Sequence, residues 1–144
     1  MSCVLRASGA NFDVDEFLKI SSLDALTAFH RGAVQFHTSS VTRRSDYSGV
    51  NVSVSTREFS DLNGLVDDAV GFLRENDREL RRLRDFPGLD RMDLEFPVED
   101  RDLVFQRDAF PHQLLSLLGE LRIGLIVSRY PAHSGATDQV PMEQ

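Results

Sequence analysis

Cys3 and His37 are the two residues of this chain whose types could make a nucleophile and its base, provided that adjacent strands bring them together. The local pattern argues for something simpler. Cys3, Leu5 and Ala7 alternate with Val4, Arg6 and Ser8, and a thiol on the apolar side of a strand is usually a small buried hydrophobe. The other chemistry open to these residue types is metal binding. His30, His37, His112 and His133 are scattered, and no pair has the i, i+4 spacing of a helical metal site. His30 and His37 could meet across a turn at Arg31-Gly32, with a carboxylate as third ligand. Ordinary loop and strand histidines are the plainer reading. There is no Gly-x-Ser-x-Gly elbow and no glycine-rich phosphate loop. The expectation is therefore a protein without catalytic residues, metal or cofactor.

Acidic residues form the most conspicuous polar group. Between Asp85 and Asp108 there are eight acids against Arg91, Arg101 and Arg107. Paired carboxylates can hydrolyse glycosides, but that needs a cleft and aromatic sugar platforms that the sequence does not reveal. Glu99-Asp-Arg-Asp102 lacks the glycine and the ligand spacing of an EF-hand loop. What remains is a solvated hairpin, or a docking surface for a basic partner built on Asp93, Glu95, Glu99, Asp100 and Asp102.

Composition narrows the field further. The chain has 144 residues, 41% hydrophobic and 27% charged, with a net charge of -7. That length can bury a core without disulfides or metal, and the charge disfavours non-specific nucleic-acid binding. A single cysteine fits a reducing compartment. No apolar run approaches a membrane span, and the start does not read as a signal peptide, so a cytoplasmic protein without membrane contact is expected.

The elements that must position these residues follow from periodicity. Cys3–Ser8 reads as a strand. Asp13-Val-Asp-Glu16 has the spacing of a capping box, with Phe12 and Phe17 as a hydrophobic staple, and predicts a helix to about Ile20. Residues 21–31 read mostly as loop, Ala33–His37 as a strand and Ser39–Ser48 as a polar loop. Val50, Val52 and Val54 alternate with polar residues as a half-buried strand.

From Asp61 to Asp85 the stripe Leu62, Val66, Ala69, Leu73, Leu80 and Leu83 predicts one long amphipathic helix, stopped by Pro87-Gly88. Acids early and arginines late match the helix dipole. Glu75, Asp77 and Glu79 interleave with the arginines, which marks a salt-bridged surface rather than a nucleic-acid site. Asn76 falls on the apolar stripe and must find a partner, either within the fold or in a ligand.

Met92, Leu94 and Phe96 alternate as a strand, with Leu103–Arg107 as its hairpin partner. A helix opens at Pro111, and Ile123–Tyr130 makes the last strand. The order β-α-β-β-α-β-β-α-β predicts an α+β domain over 1–130. It is a two-layer sandwich, an antiparallel or mixed sheet with helices on one face, followed by a disordered tail over 131–144. One sheet face stays open, carrying Arg6, Ser8, Asn51, Ser53, Ser55, Asp93 and Glu95, with Ile126 and Tyr130 as apolar anchors for a homodimer.

The pieces Leu5-Arg-Ala-Ser-Gly9, Phe12-Asp-Val-Asp-Glu-Phe17 and Arg31-Gly32 have a counterpart. With the acid-started helix, the Pro111–Leu121 helix and the closing strand, the chain resembles an uncharacterised, mainly bacterial family known as domain of unknown function four-two-seven-nine. The resemblance covers about residues 3 to 130. It departs at Val50, where a large aromatic is expected, and at Arg122, where a glycine often ends the last helix. It implies a fold and no reaction. The functional expectation is a non-catalytic bacterial binding or interaction protein, an immunity-type protein being one concrete form. The alternative is a small-ligand-binding domain with a pocket between the sheet and the long helix, near Asn76.

Overall fold

Strict alternation makes Val4–Gly9 (β1) the natural centre of a sheet, since Leu5 and Ala7 are fully buried while Arg6 faces outward. The computed structural model describes residues 2–38 and 40–131 and places β1 in that position. Ser48–Ser53 (β5) pairs antiparallel on one side and Arg91–Asp100 (β6) antiparallel on the other. Ala25–Phe29 (β2) adds beyond β5, and Gly124–Pro131 (β7) adds parallel to β6. The order is β2-β5-β1-β6-β7. Val34–His37 (β3) and Thr42–Arg44 (β4) form a separate two-stranded sheet.

Helices cover only one face. Val14–Ile20 (α1) starts at Asp13, whose carboxylate accepts from the Glu16 amide over 3.1 Å. The Phe12 and Phe17 rings lie 6.0 Å apart, and both meet Phe86 edge-on. Leu62–Glu75 (α2) and Asp77–Arg84 (α3) bury Leu65, Ala69, Leu73, Leu80 and Leu83. His112–Leu121 (α4) adds Leu114, Leu118 and Leu121. These side chains share one core with Cys3, Leu5, Ala7, Val50, Val52, Leu94 and Phe96 of the sheet. The fold is α+β, a mixed five-stranded sheet with four helices among the described residues.

Four expectations change. The helix expected over Asp61–Asp85 is two helices, α2 and α3, joined at Asn76. The Asn76 amide keeps its helical bond to the Phe72 carbonyl, which the side-chain Nδ2 shares at 3.0 Å, and the helix breaks because the Asn76 backbone leaves helical geometry, at φ -107° and ψ 19°. The apolar stripe continues through the break, because Leu73, Leu80 and Leu83 all reach the core.

The segment read as loop over 21–31 contains β2, an exposed edge strand with no alternation to announce it. The polar stretch 39–48 contains β4, held to β3 by backbone pairing rather than by buried side chains.

The hairpin at Leu103–Arg107 does not form. After Asp100 the chain turns at Asp102, whose φ is 53°, and runs as a loop into α4. The neighbour of β6 on that side is β7, reached through α4 in a β-α-β crossover. The tail expected over 131–144 begins with Pro131, which is the last residue of β7, and its remainder, 132–144, lies outside the described residues.

Candidate functional site

Because all four helices pack on one side, the opposite sheet face is left to carry polar groups. Strand register brings Thr27, Asn51, Arg6, Asp93 and Gly124 into one row across all five strands. Asn51 donates to the Thr27 hydroxyl over 2.9 Å, while its buried Oδ1 has no partner. Arg6 pairs diagonally with Glu95, Nη2 to Oε1 at 2.8 Å, and Ser128 donates to the other Glu95 oxygen. Asp93 pairs with Arg91 at 2.7 Å. A Cβ on Gly124 would lie 2.3 Å from an Asp93 oxygen, so the bare backbone of β7 is what makes room for that carboxylate.

Two concavities open on this face. One, of about 580 Å³, is lined by Arg6, Ser8, Phe29, Tyr47, Asp90, Arg91, Asp93 and Ile126. The other, of about 380 Å³, lies between the sheet and the β3–β4 hairpin, whose Ala33, Val34, Gln35 and Ser45 face Arg6, Thr27, Ala28, Phe29 and Asn51. Arg6 and Phe29 belong to both. The hairpin is fixed at its base: Gly32 donates to the Ser45 carbonyl at 2.8 Å and Ser45 to the Ala33 carbonyl at 2.9 Å. Arg31 adds a bond to the Ser48 hydroxyl at 2.9 Å.

The acidic residues named from the sequence do not form one surface of a hairpin. Asp93 and Glu95 lie on the open sheet face, each ion-paired. Glu99 and Asp100 end β6, and Asp102 sits at the following turn. From there Leu103, Val104 and Phe105 project; Val104 is fully exposed and Phe105 is 73% exposed. Beneath them the loop is tied shut. Gln106 Nε2 donates to the Glu99 carbonyl at 3.0 Å and to Asp108 Oδ2 at 2.8 Å, and its Oε1 accepts from the Arg101 amide. Arg101 in turn reaches Asp108 Oδ1 at 3.0 Å. Desolvation pushes the Asp108 carboxyl up, but the Gln106 and Arg101 hydrogen bonds outweigh it and hold the group below the ordinary 3.8.

The remaining sequence candidates separate. Cys3 is fully buried, and burial, followed by the Glu95 and Asp68 charges, raises its thiol to about 12. His37 bonds Thr42 in the hairpin, while His30 bonds Asp15 of α1 at 3.0 Å. The two histidines therefore serve different elements. No cluster of three or more His, Cys, Asp or Glu could hold a metal among the described residues. Asn76 lines a shallow depression of about 290 Å³ with Val54, Asp67, Asp68, Gly71, Phe72 and Glu75.

The acids interleaved with the helix arginines do form ion pairs, Asp77–Arg81 at 3.0 Å and Glu79–Arg82 at 3.4 Å. Arg82 also reaches the Ile20 carbonyl and Arg84 the Glu120 carbonyl, so these arginines tie α3 to its neighbours. No described helix is long and apolar enough to cross a membrane.

Of the residues placed on the open face, Ser55 turns inward to Asp68, and Tyr130 packs edge-on against Phe59 at 6.2 Å. Sequence reading missed Leu103–Phe105 as a displayed tip because a three-residue apolar run resembles a short strand. It missed Phe29 and Tyr47 because they lie in segments without periodicity. No family model, curated protein or solved structure matches this chain.

Proposed function

We propose that this is a non-catalytic interaction protein that docks on a partner protein through the loop between β6 and α4. One observation carries the reading: consecutive exposed Leu103, Val104 and Phe105 stand on a loop whose base is closed by Arg101, Gln106 and Asp108. Large apolar side chains displayed on a fixed loop lose solvation energy that only a partner's pocket recovers, and fixing the loop beforehand lowers the ordering cost of binding.

Glu99, Asp100 and Asp102 flank the tip. The matching partner surface is an apolar socket with a basic rim, the rim setting orientation and association rate. An immunity-type protein that blocks a basic toxin is a concrete form of this reading.

The test is site-specific photo-crosslinking in the source cell, with the reactive group at Val104 and a control at exposed Arg78. Support is a discrete crosslinked protein, seen only at Val104, whose contact segment is basic and whose yield falls in Asp100→Lys/Asp102→Lys. The same pattern from both positions, or a contact segment without basic residues, overturns the reading.

A further inference from the structure

The open sheet face is separate from the docking loop and shares none of its residues, so it stands or falls by itself. Both of its arginines are already paired. Arg6 is held by Glu95 and Arg91 by Asp93, and Asp90 accepts from the Ala10 amide at 3.0 Å. An anionic ligand would have to displace Glu95 or Asp93 from its arginine to satisfy itself. A neutral ligand rich in hydroxyls would not, because a paired guanidinium keeps unused N–H groups and a paired carboxylate keeps free lone pairs. Ion pairs on a sheet floor are thus a fixed array of donors and acceptors for hydroxyl groups.

The same face provides an aromatic platform. Gly49 is the cross-strand partner of Phe29, and a Cβ there would lie 2.4 Å from Phe29 Cζ. The ring therefore lies down over the bare glycine backbone, at the boundary between the two concavities. Tyr47, half exposed, lines the larger of them. A flat ring beside alternating donors and acceptors suits a pyranose, which has an apolar face of C–H groups and an equatorial rim of hydroxyls. The buried and unpartnered Asn51 Oδ1 beneath the smaller concavity is a further acceptor for a hydroxyl or a water. The larger concavity, at about 580 Å³, has room for more than one sugar ring.

We infer that the groove over Arg6 and Phe29, roofed at one end by the β3–β4 hairpin, is a binding site for a neutral oligosaccharide.

The experiment is a backbone-amide NMR titration of the full chain with maltotriose, cellotriose, mannotriose and triacetylchitotriose, each to tens of millimolar. Trigalacturonate, an anion of the same length, serves as the charged control. The expected result is saturable shifts at Arg6, Phe29 and Tyr47 for at least one neutral trisaccharide, with trigalacturonate weaker. Phe29→Ala should weaken binding by about tenfold or more, because it removes the stacking surface. Phe29→Tyr keeps the ring and should retain binding. No shift with any neutral trisaccharide, preference for a charged sugar, or shifts that map away from the groove would overturn the proposal. The wild-type comparison of neutral with charged sugars decides the matter even if Phe29→Ala does not fold.

Discussion

The Ser55 hydroxyl donates to Asp68 Oδ2 over 2.6 Å, fastening the segment just past β5 to the middle of α2. Arg57 Nε reaches the same oxygen at 3.0 Å. These contacts explain why a residue in step with the outward-facing Asn51 and Ser53 is nonetheless buried: the strand has ended at Ser53, and the chain bends toward the helix. Ser55→Ala removes a hydrogen bond to a charged acceptor and should destabilise the protein by about 1–2 kcal/mol in urea unfolding.

Asp68 makes the same contact dependent on pH. The Ser55 hydrogen bond, then Arg57, holds its carboxyl below the ordinary 3.8, against desolvation. A native value below the unfolded one means that the unfolded chain binds the proton more readily. The contribution to stability is therefore full above 3.8 and disappears as pH falls through the native value. Unfolding midpoints measured from pH 6 downward should fall more steeply for the wild type than for Asp68→Asn. Equal slopes would show that Asp68 adds nothing in acid.

Cys3 offers a direct check on the absence of thiol chemistry. A fully buried thiol raised to about 12 carries almost no thiolate near neutral pH. Native protein should react with a thiol-specific chromogenic disulfide only at the rate of global opening, and at once in denaturant. Rapid labelling of the folded protein would reinstate a reactive cysteine.

Two glycines should respond in opposite directions to alanine. A Cβ at Gly9 would lie 1.9 Å from the Gly88 carbonyl oxygen, where the end of β1 meets the turn before β6, and neither backbone can yield cheaply. Gly9→Ala should cost about 2–4 kcal/mol. Gly71 lies inside α2 with open space around its missing Cβ, so Gly71→Ala should stabilise by about 1 kcal/mol through helix propensity. Melting temperatures of the two variants on opposite sides of the wild type would confirm both placements.

How far the sequence foretold this molecule depended on whether a segment buries one face. β1, β5, β6 and the helices do, and the alternation of Leu5 with Arg6 or the spacing of Leu73, Leu80 and Leu83 announced them. β2 and β4 are held by backbone pairing with exposed side chains, and nothing in Ala25–Phe29 or Thr42–Arg44 has a period to detect. The break at Asn76 was visible as an oddity of residue type but not as geometry, because the apolar stripe runs straight through it. For the surface groups, sequence identified the polar side of the sheet through Arg6, Asn51 and Asp93. The groove itself needs the hairpin roof and the Phe29–Gly49 contact, which arise from long-range register. The acids at Glu99, Asp100 and Asp102 were legible as a charge cluster, whereas the clamp that displays Leu103–Phe105 depends on Gln106, a residue with no charge or period to draw notice.

Gln106 therefore gives the sharpest test of the docking loop as a built device. Its side chain holds the Arg101 amide, the Glu99 carbonyl and the Asp108 carboxylate together. Gln106→Ala removes all three contacts but touches no core residue, so global stability should change by about 1 kcal/mol or less. Amide exchange of the loop amides after Asp100, by contrast, should quicken by about tenfold, the effect of losing roughly 1.4 kcal/mol of local closure. Val104→Asp should leave both measurements at wild-type values, because Val104 is fully exposed and supports nothing in the fold. If loop exchange in Gln106→Ala matches the wild type, the loop is not held by its clamp, and the ordering advantage ascribed to it in docking does not exist.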